Sequence, residues 1–341
     1  MPKPAWVCNT TFRKGPTGSI LLSISLPFII YYSKYSYATG SMILAPLKKR
    51  ILRMLGIADL RQRISGLERQ VQYLAAFSSL SANEHIHPNA ALLQELRSAL
   101  EKEFAITDFK AVIHRNDMML SHQLLQHAPD TYRALWGYYK VGARAARHLE
   151  AICREHNLPS HSLLDFGSGY GRMSRFLPAV FPGAQITISE VKEQAVQFQQ
   201  EVLGFNGIHH STHAREFSAH HFDLILALSV FTHLPEGHFK SWLATLTEQL
   251  RPGGALLFTI NNVAQGGSKI GKAQDFCYLN HSEDTALPQI GDALLNSADY
   301  GSTFVSHAFV ESTLRQINPN LKIKFLKYNW VPNQEAVLVQ R

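Results

Sequence analysis

At 341 residues the chain is long enough for one α/β domain of ordinary size plus a substantial accessory region. Its 45% apolar and 17% charged residues make up a folded chain and exclude global disorder. The net charge of +7 belongs to the first 70 residues, where eleven Lys and Arg face only Asp59 and Glu68; the remainder holds 22 basic and 24 acidic residues, a balance of −2, which argues against a catalytic domain built to grip nucleic acid.

Cys8, Cys153 and Cys277 are odd in number, widely spaced and outside any CxxC pattern. They suggest neither a disulfide framework nor a zinc site, and a reducing, cytoplasmic compartment fits them best.

Residues 1–50 form a basic and apolar leader. The run Ile20 to Tyr32 follows Lys3, Arg13 and Lys14, as the apolar part of a signal peptide follows its basic part. It is short of the roughly 20 apolar residues a membrane span needs, and Pro27 interrupts it. A membrane-proximal segment, a poorly ordered leader and an over-long reading frame starting naturally at Met42 all remain open. Lys48, Lys49, Arg50 and Arg53 suit peripheral contact with an anionic membrane, or a solvated charge run.

Residues 51–130 read as a helical accessory region. Ile57, Leu60, Ile64, Leu67, Val71 and Leu74 recur at spacings of 3, 4, 3, 4 and 3, the seam of a short heptad repeat. Homodimerisation through residues 57–74 and packing of this helix on its own domain are both consistent with that seam. Further helices are expected over 91–104 and 131–155, the second with Leu135, Tyr139, Ala146, Leu149 and Ile152 on one face.

The third region, 131–341, alternates strands and helices beyond Ser160. Strands are expected at 163–166, 185–189, 207–211, 223–229, 255–260, 321–329 and 335–340, the last two as a hairpin. Helices are expected at 172–180, 192–203, 238–250 and 307–317. This order implies a mostly parallel sheet covered on both faces.

Asp165-Phe166-Gly167-Ser168-Gly169-Tyr170-Gly171-Arg172 places alternate glycines between a strand and a helix. Missing side chains let the backbone approach a ligand, and the N-terminus of the helix that follows offers N–H groups to an anion. Glu190 ends the next strand, 19 residues after Gly171, where a carboxylate can accept ribose hydroxyls. The histidines at 209, 210, 213, 220 and 221 lack Cys or carboxylate partners at ligand spacing, so no metal is expected. His233 follows the fourth strand, at the edge where open α/β sheets bind ligands, and is a candidate catalytic residue or a loop cap.

With these motifs in place the sequence resembles the class I S-adenosylmethionine-dependent methyltransferase family. Asp-x-Gly-x-Gly-x-Gly at 165–171 looks like its cofactor loop, Glu190 like its ribose acid and Arg251-Pro252-Gly253-Gly254 like its turn before strand five. The resemblance covers 160–262 well and the terminal hairpin loosely. It implies a Rossmann-like, doubly wound, mostly parallel seven-stranded sheet of order 3-2-1-4-5-7-6 with an N-terminal helical region. It also implies S-adenosylmethionine as cofactor, held by Asp165, Gly167, Ser168, Gly169, Tyr170, Gly171, Arg172, Glu190 and Ser229. GxGxG preceded by an acid differs from the GxGxxG of dinucleotide oxidoreductases. Where many members carry an adenine-binding Asp, this chain reads His210-Ser211-Thr212-His213-Ala214, so the adenine contact stays unassigned.

The expected acceptor is a small molecule, sugar or glycan intermediate. A protein or nucleic-acid acceptor, or a non-catalytic interaction subunit, are the alternatives. The helices before Ser160 and the long segment Val263 to Ser302 are expected to cover the acceptor pocket, with Tyr300-Gly301-Ser302-Thr303 either lining it or simply leading into a helix capped by Ser306.

Overall fold

The computed structural model describes residues 11–14, 20–23, 57–80, 83–214, 217, 221–265, 275–279, 301–326 and 334–341. The chain divides into two units, 1–67 and 68–341. In the first, β1 (Thr11–Lys14) pairs antiparallel with β2 (Ile20–Ser23), so the apolar run begins as a strand; the rest of that run, and Lys48 to Arg53, lie outside the described residues. Helix α1 (Ile57–Leu80) passes through the division. Among the described residues no helix is long and apolar enough to cross a membrane.

The accessory helices follow their sequence periods. α2 (Ala90–Phe104) starts at Asn89, whose side chain accepts from the Leu92 N–H, and ends in a left-handed Ala105. A two-residue pair, β3 (His85–Ile86) with β4 (Ile113–His114), frames it. α3 (Met118–His127) is capped by Asp117 and α4 (Thr131–Glu155) by Asp130. α4 buries Leu135, Tyr138, Tyr139, Gly142, Ala146 and Leu149 along one face. Gly142 is there for closeness: a Cβ would lie 2.0 Å from the Arg172 carbonyl oxygen, so a side chain would push α4 off the glycine loop.

The central sheet contains β5 (Ser162–Phe166), β6 (Gln185–Glu190), β7 (Asn206–His209), β8 (Phe222–Ala227) and β9 (Leu250–Asn262), all parallel, in the order β7-β6-β5-β8-β9. β13 (Glu335–Gln340) runs antiparallel beside β9, and β12 (Lys322–Leu326) beside β13. This is the expected 3-2-1-4-5-7-6 order. Along each central strand alternate residues enter different cores: Leu163, Leu224, Leu226 and Leu257 pack with α2, α3 and α4, while Leu164, Ile225, Leu256 and Phe258 pack with α7 (Glu236–Glu248) and α8 (His307–Ile317).

Four elements depart from the sequence expectation. The helix expected at 172–180 is a 3-10 turn (Ser174–Phe176) followed by one α-turn, α5 (Leu177–Val180); Pro178 has no N–H to bond the Ser174 carbonyl, which breaks the helix there. The helix expected at 192–203 is α6 (Glu193–Phe198), which widens into a π-turn over Gln199–Leu203. Arg251 to Gly254 is absorbed as an irregularity within β9, between the pairs Phe222↔Leu250 and Leu224↔Ala255, rather than ending before it. Finally, Ser302–Val305 is a strand, β11, antiparallel to β10 (Phe276–Leu279) and parallel to Asn261 and Asn262 of β9. Ser302 and Thr303 therefore belong to a sheet extension rather than a helix start; Tyr300 and most of 263–300 lie outside the described residues. Ser306 caps α8, accepting from the Phe309 N–H.

Candidate cofactor and acceptor site

The parallel strands bring Phe166, Glu190, His209, Ala227 and Asn262 to one edge of the sheet, because each ends there in the same direction. The glycine loop leaves β5 at that edge. Gly167, Gly169 and Gly171 have φ of 70, 58 and 75°. A Cβ on Gly167 or Gly171 would strike Val230 or Leu203, so those two glycines serve internal packing. A Cβ on Gly169 would meet no protein atom within 4 Å, so the surface left bare there faces open space.

The loop is tied down by its own amides. Gly167 N–H and Ser168 N–H donate to the Ser189 carbonyl, Gly169 N–H to Glu190 Oε2 at 2.8 Å and Gly171 N–H to the Ser168 carbonyl. Among the described residues the first regular α-turn after the loop begins at Leu177, and four of the loop's N–H groups bond within the protein. Glu190 is 9% exposed, and its Oε1 accepts from the Val191 N–H at 2.8 Å and more weakly from Lys192. A carboxylate offers about four acceptor positions, so capacity remains on Oε2.

Beneath the loop, Asp165 is buried and accepts from Ser174 Oγ at 2.6 Å; burial, reinforced by the nearby Glu190 charge, pushes its carboxyl up to about 6 against the Ser174 bond. Its observed bond is thus to the loop's own chain. Tyr170 is buried, donates to Gln194 Oε1 and stacks on His114 of β4, with ring centroids 4.6 Å apart. The Asn116 N–H donates to His114 Nδ1, so Nε2 carries the proton and donates to Glu84. Arg172 is half-buried at the end of the loop; burial lowers its pKa and Asp117 opposes the shift.

Two residues without a motif hold this loop. Gln199, fully buried in the π-turn, donates to Ser168 Oγ and to the Gly169 carbonyl, both at 2.8 Å. Arg175 is 2% exposed; Nε donates to the Gly171 carbonyl, Nη1 to the carbonyls of Lys110 and Val112, and Nη2 to the Tyr170 carbonyl and the Tyr138 phenol. Tyr138 in turn donates to Asp117 at 2.6 Å. A buried guanidinium thus stitches the glycine loop to the segment before α3. Only the helix-breaking Pro178 nearby hints at it in the sequence.

On the far side of the loop, Ser229 has φ 58°, a strained conformation for a non-glycine residue. Its N–H donates to Thr259 Oγ1 and its Oγ to Gln334 Oε1. Val230 beside it packs on Gly167, so the end of β8 and the glycine loop touch. His233 closes the next turn, its N–H donating to the Val230 carbonyl and its Nδ1 lying 2.7 Å from the Gly301 carbonyl. A carbonyl only accepts, so Nδ1 carries the proton and Nε2 is the basic nitrogen of the neutral ring.

His210, on the strand edge where an adenine contact was left unassigned, is 7% exposed and stacks on Phe166 at 5.0 Å. Burial drives its pKa down to about 4. Its Nδ1 donates to the Ser211 carbonyl, leaving Nε2 a buried acceptor with no partner among the described residues. Among the described residues no group of three His, Cys, Asp or Glu is placed to hold a metal ion, and His220 lies outside them.

The sequence model of a family described as a methyltransferase domain matches residues 164–256. No curated protein matches the chain. Solved structures with a similar course include an S-adenosylmethionine-dependent methyltransferase from Clostridium acetobutylicum, 14% identical, TM-score 0.43, covering 58% of this chain and 90% of that one. A 1,6-didemethyltoxoflavin-N1-methyltransferase from Burkholderia thailandensis, with S-adenosylhomocysteine bound, is 15% identical, TM-score 0.41, covering 58% and 78%. The magnesium protoporphyrin IX methyltransferase of Synechocystis, with S-adenosylmethionine bound, is 15% identical, TM-score 0.39, covering 60% and 83%. The family match, rather than these distant likenesses, carries the assignment.

Proposed function

We propose that residues 164–256, which match the model of a methyltransferase domain, form a class I S-adenosylmethionine-dependent methyltransferase, and that the chain methylates a small molecule, sugar or glycan intermediate. The observation that carries the reading is the bond between Gly169 and Glu190. It joins a left-handed glycine facing open space to a buried carboxylate with acceptor capacity left on it. Those features fit a nucleoside with a vicinal diol: Glu190 Oε2 accepts from the ribose, and the bare Cα of Gly169 lets the ligand lie against the loop. Asp165, Gln199 and Arg175 support the loop from within, while Gly167, Ser168, Tyr170, Gly171, Arg172 and Ser229 shape the surrounding wall.

The cofactor supplies an electrophilic methyl group on a sulfonium. The protein's part is then to hold an acceptor in line with that methyl and, for a hydroxyl acceptor, to take its proton. His233 fits the second task, because its bond to the Gly301 carbonyl fixes the ring and makes Nε2 the proton acceptor. The balance of −2 beyond residue 70 favours an acceptor without a phosphate backbone.

The N-terminal region stands apart from this chemistry. We propose that the protein works in the cytoplasm, that its basic leader makes a peripheral membrane contact, and that residues 57–74 mediate self-association. The enzymatic reading is tested by calorimetry with S-adenosylhomocysteine, followed by transfer of labelled methyl to fractionated cell extract. Label in the low-molecular-weight or glycan fraction is the expected result. Label confined to protein or nucleic acid would replace the acceptor class, and failure to bind at millimolar ligand would sink the cofactor assignment.

A further inference from the structure

On α1, Leu60, Ile64, Leu67, Val71 and Leu74 are 57, 46, 61, 65 and 57% exposed. A single exposed Leu is ordinary, but five in a row at spacings of 4, 3, 4 and 3 form a continuous apolar seam. The helix is held to its own domain by another face, where Tyr73 and Ala76 are buried and Phe77 and Leu80 pack on the same core. At 100° per residue those four lie roughly opposite the seam. Among the described residues, packing within the domain therefore consumes one side of α1 and leaves the seam exposed.

We propose that this seam pairs with that of a second copy as a parallel, in-register, two-stranded coiled coil, which rests on the self-association proposed above and specifies its geometry. Two features select a parallel pair. Ile57, Ile64 and Val71 occupy every a position and Leu60, Leu67 and Leu74 every d position, and β-branched a with Leu at d favours two parallel strands. The flanking charges agree. Arg63 falls at g and Glu68 at the following e, both are exposed, and among the described residues neither has an ion-pair partner. In a parallel pair each g side chain faces the e side chain of the next heptad in the other helix, so Arg63 meets Glu68 of the second copy twice by symmetry. An antiparallel pair sets g against g and e against e, placing like charges together.

The seam ends at Leu74, because Ser78 takes the next a position. As an isolated peptide, fewer than three heptads would be marginal. Here Tyr73, Ala76, Phe77 and Leu80 already hold the helix, so its ordering is met before association.

Sedimentation equilibrium on the full chain should give twice the 38.3 kDa monomer mass. Leu67→Glu should give monomer with unchanged far-UV circular dichroism, since Leu67 is exposed. Arg63→Glu should weaken the dimer about tenfold through two like-charge contacts, and adding Glu68→Arg to the same chain should restore it. Leu67→Cys should cross-link copy to copy on mild oxidation, because d positions face each other in register. A chain monomeric up to about 100 µM, a dimer indifferent to Leu67→Glu, or a charge swap that does not restore pairing would each overturn the proposal. So would a monomer whose seam instead governs sedimentation with anionic phosphatidylserine vesicles. None of these readouts involves methyl transfer, so their failure leaves the catalytic reading untouched.

Discussion

The Gly169 N–H donates to Glu190 Oε2 at 2.8 Å across 21 residues of sequence, so the loop leaving β5 and the acid ending β6 form one rigid unit. Disturbing either partner should therefore affect the other's contribution to ligand binding. Glu190→Gln is expected to weaken S-adenosylhomocysteine binding by roughly 1.5–3 kcal/mol, the scale of a hydrogen bond to a charged group. Gly169→Ala should cost about 1–2 kcal/mol of stability through its left-handed φ, with a larger loss of affinity because its methyl enters the open space. Calorimetry beside denaturant unfolding separates the two, and unchanged affinity in both variants would remove this pair from the site.

His233→Gln should lower methyl transfer to a hydroxyl acceptor by about 10² to 10⁴ while leaving cofactor affinity near its original value. A variant with normal turnover would show that the histidine only ties its turn to Gly301.

Arg175→Met should destabilise the domain by about 2–4 kcal/mol, because four carbonyls, those of Gly171 and Tyr170 in buried bonds and those of Lys110 and Val112 in part-buried ones, would lose the guanidinium donor. Arg175→Lys should rescue little, as one ammonium cannot reproduce the planar fork that spans Gly171, Val112 and Tyr170. Urea unfolding monitored by circular dichroism measures both. A loss below about 1 kcal/mol in the Met variant would mean that water replaces the guanidinium.

His210 and Asp165 give opposing pH dependences. The imidazole is depressed from 6.5 to about 4, so its stabilising contribution is complete above pH 6.5 and is lost as pH falls toward 4. The carboxyl is raised from 3.8 to about 6, so its contribution is complete below pH 3.8 and is lost as pH rises through 6. At about 1.4 kcal/mol per unit, the two nearly cancel in the unmodified chain between pH 4 and 6.5. His114, whose pKa burial also lowers, adds to acid sensitivity. Denaturant unfolding across this range should therefore find His210→Phe gaining on the parent as pH falls, and Asp165→Asn gaining as pH rises. Parallel stability curves for all three proteins would refute the linkage.

Removing residues 1–80 should cost about 3–5 kcal/mol more stability than removing residues 1–56, since the fully buried Tyr73 and its neighbours Ala76, Phe77 and Leu80 then leave the core. Equal midpoints for the two truncations would show that the end of α1 contributes nothing.

The sequence by itself determined the elements whose signals are local. Helices 131–155 and 307–317 are found where expected, the first from its apolar face and the second beginning after the Ser306 cap. Leu163–Phe166 and Phe222–Ala227 are buried on both faces, which is why apolar residues fill successive positions in each, broken only by Asp165 and Asp223. Their βα alternation indicated a mostly parallel sheet, while the strand order was what the family resemblance carried by the glycine loop and Glu190 implied. Tertiary structure alone decided the rest. β10 and β11 form because β9 extends to Asn262, two residues past the last partner of β13 at Ile260, leaving an edge for Phe304 and Val305. The seam of α1 stays exposed because Tyr73 and Ala76 bind the opposite face, a choice its 3-4 spacing could not make. Gln199 reaches Gly169 across 30 residues of sequence and His114 reaches Tyr170 across 56, while Arg175 ties the glycine loop to Lys110 across 65. Periodicity records which side of an element loses water; the partner that satisfies a buried polar group depends on what the fold brings beside it.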